Sequence, residues 1–138
     1  MAELDEEKDI TVGNRHRYHL QKGCYAYVGS ALSSLEKRMR RHLSPEKKRY
    51  WHIDYLLERA KIQNIIYAET EERKECVLAK ILFRRLPAVA DFGCSDCRCQ
   101  SHLFFCPERQ ALENLAINAF RSLSLEPFST ANADLDRQ

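Results

Sequence analysis

The chain has 138 residues, of which 44% are apolar and 30% are charged, and its formal net charge is only +2. These values predict one domain with a real hydrophobic core, over residues 1–128, followed by a polar tail over residues 129–138, and they exclude a polybasic tail. No signal peptide is recognisable, and no apolar run approaches the ~20 residues of a membrane span, so we expect a cytoplasmic protein. In that reducing compartment the six cysteines are expected to be thiols or metal ligands.

The first part of the chain predicts three short strands in an antiparallel meander. Residues 8–13 and 16–21 form the first two, with a turn at Gly13-Asn14, and residues 25–28 form the third. Side chains two apart on a strand share a face, so the phenols of Tyr25 and Tyr27 lie side by side. Val28-Gly29-Ser30 then turns the chain.

A capped, basic helix is predicted next, over residues 34–43. Ser33 and Glu36 form its capping box, and Arg38 and His42 project together because they are four residues apart. Basic residues are dense between positions 37 and 49, which suits a nucleic-acid backbone, although a solvated helix face and loop is the alternative. The candidate nucleic-acid contacts are Arg40, Arg41, Lys47 and Lys48.

The middle of the chain predicts a short helix over residues 55–60 and a β-rich stretch over residues 62–69. His52 and Asp54 precede the helix, and on an extended segment they share one face, where both serve a metal or a water. The commoner use of Asp54 is as the N-cap of the helix.

A longer helix is predicted from Thr70 to near Pro87, with acidic residues in its first turn that favour the helix dipole. Glu75 lies on its apolar stripe with Leu78 and Leu82. A carboxylate there is costly unless it is paired, protonated or bound to a metal. Glu75 is therefore a candidate metal ligand, the alternative being that it reaches solvent near the helix start.

The cysteine segment contains five potential metal ligands within 13 residues: Cys94, Cys97, Cys99, His102 and Cys106. Tetrahedral zinc is one interpretation, because zinc sites often use Cys-x2-Cys, although their ligand pairs are usually further apart. Free thiols lining a loop that closes over the site are a second interpretation, and a redox or disulfide role is a third. A short strand over residues 101–105 and a last helix beginning at Pro107 follow. The apolar stripe of that helix is Leu112, Leu115, Ala116, Ala119, Phe120 and Leu123.

The tripeptide Tyr27-Val28-Gly29 followed by Arg38 on a helix resembles the GIY-YIG nuclease superfamily. In that superfamily a tyrosine strand, a Y-[IV]-G turn and a helix arginine form half of a DNA-cleaving site. The closer resemblance is to its largely archaeal branch, domain of unknown function family 123, through YVGSA, RRH, WHID, EC and SDCRCQSHLF. It covers roughly residues 4–105.

This resemblance implies an α/β fold, with a small, mainly antiparallel sheet flanked by helices, and a metal-dependent endonuclease that cleaves DNA in repair or processing. Glu75 would hold Mg²⁺ or Mn²⁺, and Tyr27 or Tyr25 would orient or deprotonate the attacking water. Arg38 would clamp the phosphate. His42 would be a general acid or base, and His52 another residue of the site.

Two features depart from the superfamily pattern. Gly23-Cys24-Tyr25, the match to the first tyrosine tripeptide, abuts the second on one strand, and no Asn follows Phe83. Either Tyr25 replaces the first tyrosine, or the chain lacks one catalytic group. The alternatives to an endonuclease are a catalytically inactive nucleic-acid-binding module of the same fold and a zinc-stabilised interaction domain.

Overall fold

The computed structural model describes residues 1–13, 16–30, 39, 41–44, 52–70, 72–93 and 97–130. In these parts of the chain it contains a four-stranded antiparallel sheet, two short strand pairs and several helices, which confirms the predicted α/β class. In chain order the elements are β1 (Ala2–Leu4), β2 (Lys8–Val12), β3 (His16–Leu20), β4 (Gly23–Tyr27), α1 (His52–Leu57), β5 (Lys61–Ile62), β6 (Ile66–Tyr67), α2 (Glu75–Phe83), β7 (Leu103–Cys106), α3 (Arg109–Ser122) and β8 (Phe128–Ser129).

Strand β4, which carries Tyr25 and Tyr27, is an inner strand of the four-stranded sheet. The sheet order is β5-β1-β4-β7, so β4 pairs with β1 on one side and β7 on the other. Alternate residues of β4 face opposite ways. Cys24 and Ala26 pack against leucines of α2 and α3, whereas Tyr25 packs in a second apolar cluster with Tyr18, Leu56 and other residues of the β2-β3 pair and α1.

The predicted meander is wrong, although its first hairpin is confirmed. Strands β2 and β3 pair with each other in a separate two-stranded sheet, and α1 packs on β2. Strand β4 pairs instead with β1, near the start of the chain, and with β7, about 80 residues further along. Its periodicity gives the facing of its side chains but carries no information about which distant strand lies beside it.

Two helices differ from their predicted bounds. Helix α1 starts at His52 rather than residue 55, so Asp54 lies inside its first turn and is not its N-cap. Helix α2 starts at Glu75 rather than after Thr70, although the Thr70 hydroxyl does accept a hydrogen bond from the Glu72 amide. The last helix is confirmed as α3, with Leu112, Ala116 and Ala119 buried.

The tail was predicted to begin at residue 129, but Ser129 lies in β8, where it pairs with Ile66. Residues 131–138 lie outside the described part of the chain. None of the helices in the described ranges combines the length and the apolar character that a membrane crossing requires.

A buried ion pair joins the segment before α1 to α1 itself. Asp54 is 1% exposed, and both of its carboxylate oxygens accept hydrogen bonds from the Arg41 guanidinium, at 2.9 and 2.8 Å. Residues 41–43 are helical. Because a bidentate pair fixes both distance and orientation, it anchors this helical segment to α1.

We expect Asp54→Asn to lower the free energy of unfolding by on the order of 3 kcal/mol, since it leaves the Arg41 charge without its buried partner. Asp9→Asn is the matched control, because Asp9 pairs with His19 where both side chains are largely exposed. That change should cost less than about 1 kcal/mol. Urea unfolding of both variants measures the difference, and equal stabilities would contradict the anchoring role.

Candidate metal centre and adjoining cavity

Four side chains from three parts of the chain form a compact group, which we term the Cys3His cluster. Cys76 comes from the first turn of α2, Cys97 and Cys99 come from the loop before β7, and His102 immediately precedes β7. One potential ligand atom from each residue lies within 4.8 Å of all the others. The loop is closed at its base by backbone hydrogen bonds from His102 to Phe92 and from Asp91 to Gln100.

The imidazole of His102 is oriented as a metal ligand would be. Its Nδ1 lies 3.2 Å from the carbonyl oxygen of Val28. A carbonyl only accepts hydrogen bonds, so Nδ1 carries the proton and Nε2 keeps its lone pair. Nε2 faces the sulfurs of Cys97, at 3.5 Å, and of Cys76, at 4.0 Å. A ligating histidine commonly donates its other ring N–H to a backbone carbonyl in this way.

The spacing of the ligand atoms matches a tetrahedral ion. Zn–S bonds of about 2.3 Å and Zn–N bonds of about 2.0–2.1 Å, arranged tetrahedrally, place nitrogen and sulfur about 3.5 Å apart. The His102–Cys97 distance of 3.5 Å equals that value and the His102–Cys76 distance is slightly longer. Thiolate sulfur suits zinc and disfavours magnesium or manganese, which prefer oxygen. The donor set of the Cys3His cluster therefore fits zinc, one of the sequence interpretations of this segment, better than the Mg²⁺ or Mn²⁺ predicted at Glu75.

The crowding of the thiols affects how they would bind a cation. Burial, followed by the neighbouring sulfurs of Cys99 and Cys97, raises the pKa of Cys76 to about 12, and burial also raises the pKa of Cys99. Without a cation the thiols of Cys76 and Cys99 therefore resist ionisation. A divalent ion offsets the mutual repulsion of the thiolates and releases their protons on binding.

A cavity of about 650 Å³ is lined by Glu75 and Leu103, which are the sequence neighbours of the cluster ligands Cys76 and His102. Its wall includes four residues that the sequence singled out as catalytic or metal-binding: Tyr25 and Tyr27 in β4, His42 in the helical segment over residues 41–43, and Glu75 at the start of α2. Most of the remaining wall is apolar. Glu75 and Cys76 are sequence neighbours, so the same helical turn supplies a carboxylate to the cavity and a sulfur to the cluster.

Two of the predicted site residues, Tyr25 and His52, pack against the second apolar cluster, although Tyr25 also lines the cavity. Tyr25 is 2% exposed, and its hydroxyl donates to the carbonyl of Gln21 at 2.7 Å. Burial raises the pKa of Tyr25 to about 12. His52 lies among the rings of His16, Tyr18 and Phe92, and burial lowers its pKa, with a smaller effect from His16. It is not one of the described residues that line the cavity.

The basic candidates are only partly described. Arg41 is bound to Asp54, with 27% of its side chain exposed. The remaining predicted residues, namely Arg38, Arg40, Lys47, Lys48 and Cys94, lie outside the described residues.

Sequence reasoning missed Cys76 and included Cys106. Cys106 lies in β7 opposite Cys24, and both pack in the core beneath α2 and α3. The missed ligand is 21 residues before Cys97, so a search for ligands in one local segment could not find it. One sequence feature could have separated the two cysteines. Cys106 lies in an apolar strand, which indicates a core residue, whereas Cys76 follows the charged Glu75 at the start of a helix.

The fold and the cluster define a small α/β domain that carries a Cys3His set of the kind that holds a metal. The family profile of Domain of unknown function DUF123 matches residues 1–125, and the chain belongs to this family. No curated protein and no solved structure matches the chain.

We expect Tyr25→Phe to lower the free energy of unfolding by about 1 kcal/mol, because the hydrogen bond from the buried tyrosine to the Gln21 carbonyl is lost. Tyr67→Phe, at a half-buried tyrosine stacked on Phe128, is the control and should change stability less. Thermal or urea unfolding provides the measurement. Unchanged stability would contradict a structural role for the Tyr25 hydroxyl.

Proposed function

We propose that this chain is a metal-dependent endonuclease that cleaves phosphodiester bonds of DNA in the cavity beside the Cys3His cluster. The observation that supports this most is that Tyr27, His42 and Glu75 line one cavity although they are far apart in the sequence. A phenol, an imidazole and a carboxylate around one concavity supply a water-orienting group, a proton donor and a hard metal ligand.

Glu75 fits the role of ligand for Mg²⁺ or Mn²⁺. It is half-buried, and it opens into the cavity from the first turn of α2. Magnesium is usually held by only one or two carboxylates, with waters and substrate phosphate oxygens completing its shell. When bound, such a cation neutralises charge on the phosphate and makes its water more acidic.

The remaining roles fall to residues of β4 and the basic helix. The hydroxyl of Tyr27 orients the attacking water, and this role goes to Tyr27 because the Tyr25 hydroxyl is bound to Gln21. Arg38 clamps the phosphate and stabilises the developing negative charge. His42 donates a proton to the leaving oxygen.

DNA is proposed to lie along the basic segment that follows Arg38. Arg40, Lys47 and Lys48 would contact phosphates, and their positive charge would make binding weaken with salt. Arg41, also predicted as a contact, would act mainly through its pair with Asp54, which holds the helical segment in place. The Cys3His cluster would bind one Zn²⁺ as a structural ion.

A catalytically inactive DNA-binding module is the second candidate. The observation that favours it is the buried Tyr25, because its hydroxyl is hydrogen-bonded to the Gln21 carbonyl, whereas the superfamily pattern uses two tyrosines in the site. Both candidates predict salt-dependent binding to DNA, and only the endonuclease predicts strand cleavage.

Glu75→Ala should reduce Mg²⁺-dependent cleavage on the order of 10²–10³-fold while changing DNA affinity little, because a metal ligand acts mainly on the transition state. Glu72→Ala is the matched control, since Glu72 lies on the same cavity wall but is exposed and paired with Lys74. Gel assays of cleavage and binding separate the two effects. Wild-type protein that binds DNA but never cleaves it, with either Mg²⁺ or Mn²⁺, would support the binding module instead.

Purified protein should contain about one equivalent of zinc, and Cys76→Ser or Cys97→Ser should remove most of it. Cys106→Ala is the control, because Cys106 lies in the core and the change should leave the zinc content unaltered. Elemental analysis by mass spectrometry provides the measurement. Full zinc in Cys76→Ser would contradict the assigned ligand set.

A further inference from the structure

We propose that a zinc ion in the Cys3His cluster positions the cavity wall, holding the turn at Val28, the ring of Tyr27 and the start of α2 in register with one another. This arrangement matters for activity only if the proposed function is correct, and in that respect the inference rests on it. Whether zinc orders these three parts of the chain is a separate question from whether the cavity cleaves DNA.

The first link is between the cluster and the start of α2. The N-cap residue of α2 is Lys74, and within the described residues it makes no side-chain capping hydrogen bond. The first turn of this helix therefore lacks the fixation that a Ser or Asp cap gives. A metal-bound Cys76 thiolate would supply it, with its negative charge at the positive end of the helix dipole. Because Glu75 is the adjacent residue, fixing Cys76 fixes the direction of Glu75 into the cavity.

The second link is between the cluster and the turn after β4. Val28 and His102 exchange two hydrogen bonds: the Val28 amide donates to the His102 carbonyl at 2.9 Å, and the His102 ring donates to the Val28 carbonyl at 3.2 Å. The ring bond exists only while the imidazole keeps its orientation. Coordination through Nε2 fixes that orientation and so holds the Val28-Gly29 turn beside the cavity.

The third link is between the loop and the ring of Tyr27. Gly93 has φ +71°, and a Cβ atom there would lie 2.8 Å from Cε1 of Tyr27. The loop backbone thus packs directly on the tyrosine ring. Phe92 is fully buried and contacts the same ring edge-on, with centroids 6.3 Å apart. A metal that binds Cys97 and Cys99 holds this loop closed and keeps the Tyr27 ring in place.

Most of the fold lies outside these links. Of the buried residues that form the two apolar clusters, only Val28 and Phe92 belong to the links among the described residues, and the others lie mainly on strands and helices. Losing zinc should therefore open the loop and the turn while leaving the sheet and α3 folded, as expected for a local opening with its own free energy.

Hydrogen exchange of individual amides, followed by NMR, tests the inference without any nucleic acid. The amides of Val28 and His102 report on the turn and the loop base, and the amide of Leu112 in α3 is an internal control. Removing zinc with a chelator, or by Cys97→Ser, should speed exchange at Val28 and His102 at least about 10-fold, with Leu112 unchanged. Zinc added back to the chelated wild-type protein should restore the slow exchange.

Two outcomes of the exchange measurement would overturn the inference. Exchange at Val28 that is equally slow with and without zinc would show that the turn is held by something else. Faster exchange at Leu112 as well would show that zinc is needed for the whole fold rather than for the cavity wall. Zinc-dependent protection in a protein that never cleaves DNA would uphold the inference and reject the endonuclease, whereas Glu75-dependent cleavage by zinc-free protein would uphold the endonuclease alone.

Discussion

The imidazole of His102 is the point on which the geometry of the site depends. The ring Nδ1 and the backbone of His102 are hydrogen-bonded to Val28. The other ring nitrogen, Nε2, faces the sulfurs of Cys76 in α2 and Cys97 in the cysteine loop. Three thiols packed this closely around an imidazole are poorly stabilised by hydrogen bonds alone, because sulfur is a weak donor and acceptor. A soft divalent cation is the partner that this arrangement of ligands fits.

The two sequence neighbours at the start of α2 separate two kinds of metal chemistry. Glu75 offers a hard oxygen to the cavity, and Cys76 offers a soft sulfur to the cluster. Under the proposed function one helical turn would hold a catalytic cation on one side and a structural one on the other. Ligand softness would keep the two ions apart, because magnesium does not compete for thiolates and zinc would be held by the four ligands of the Cys3His cluster.

Local patterns predicted the parts of the fold that local forces decide. The turn signal at Gly13, where φ is +61°, correctly predicted the β2-β3 hairpin. The apolar stripe from Leu112 to Ala119 correctly predicted α3. The alternation in β4 placed Tyr25 and Tyr27 on one face, but it could not show that the Tyr25 hydroxyl turns to Gln21. The predicted start of α2 was wrong: Thr70 and the acidic residues after it form a favourable helix start by local rules, but the helix begins at Glu75.

Long-range placement was the part that sequence reasoning could not supply. The partners of β4 are β1 and β7, separated by most of the described chain, and the fourth ligand of the cluster is on a helix rather than in the cysteine segment. The cluster was recognised as a candidate from Cys97, Cys99 and His102, but the sequence pattern included Cys106, which lies in the core, and did not include Cys76. Ligand spacing is informative only after the fold has brought distant segments together.

X-ray absorption at the zinc edge of the purified protein tests the central claim most directly, because it reports the atoms bound to the metal. We predict a first shell of three sulfurs at about 2.3 Å and one nitrogen at about 2.0–2.1 Å. A shell of nitrogen and oxygen only, or protein purified without zinc and with its cysteines oxidised, would contradict the assignment of the metal to Cys76, Cys97, Cys99 and His102.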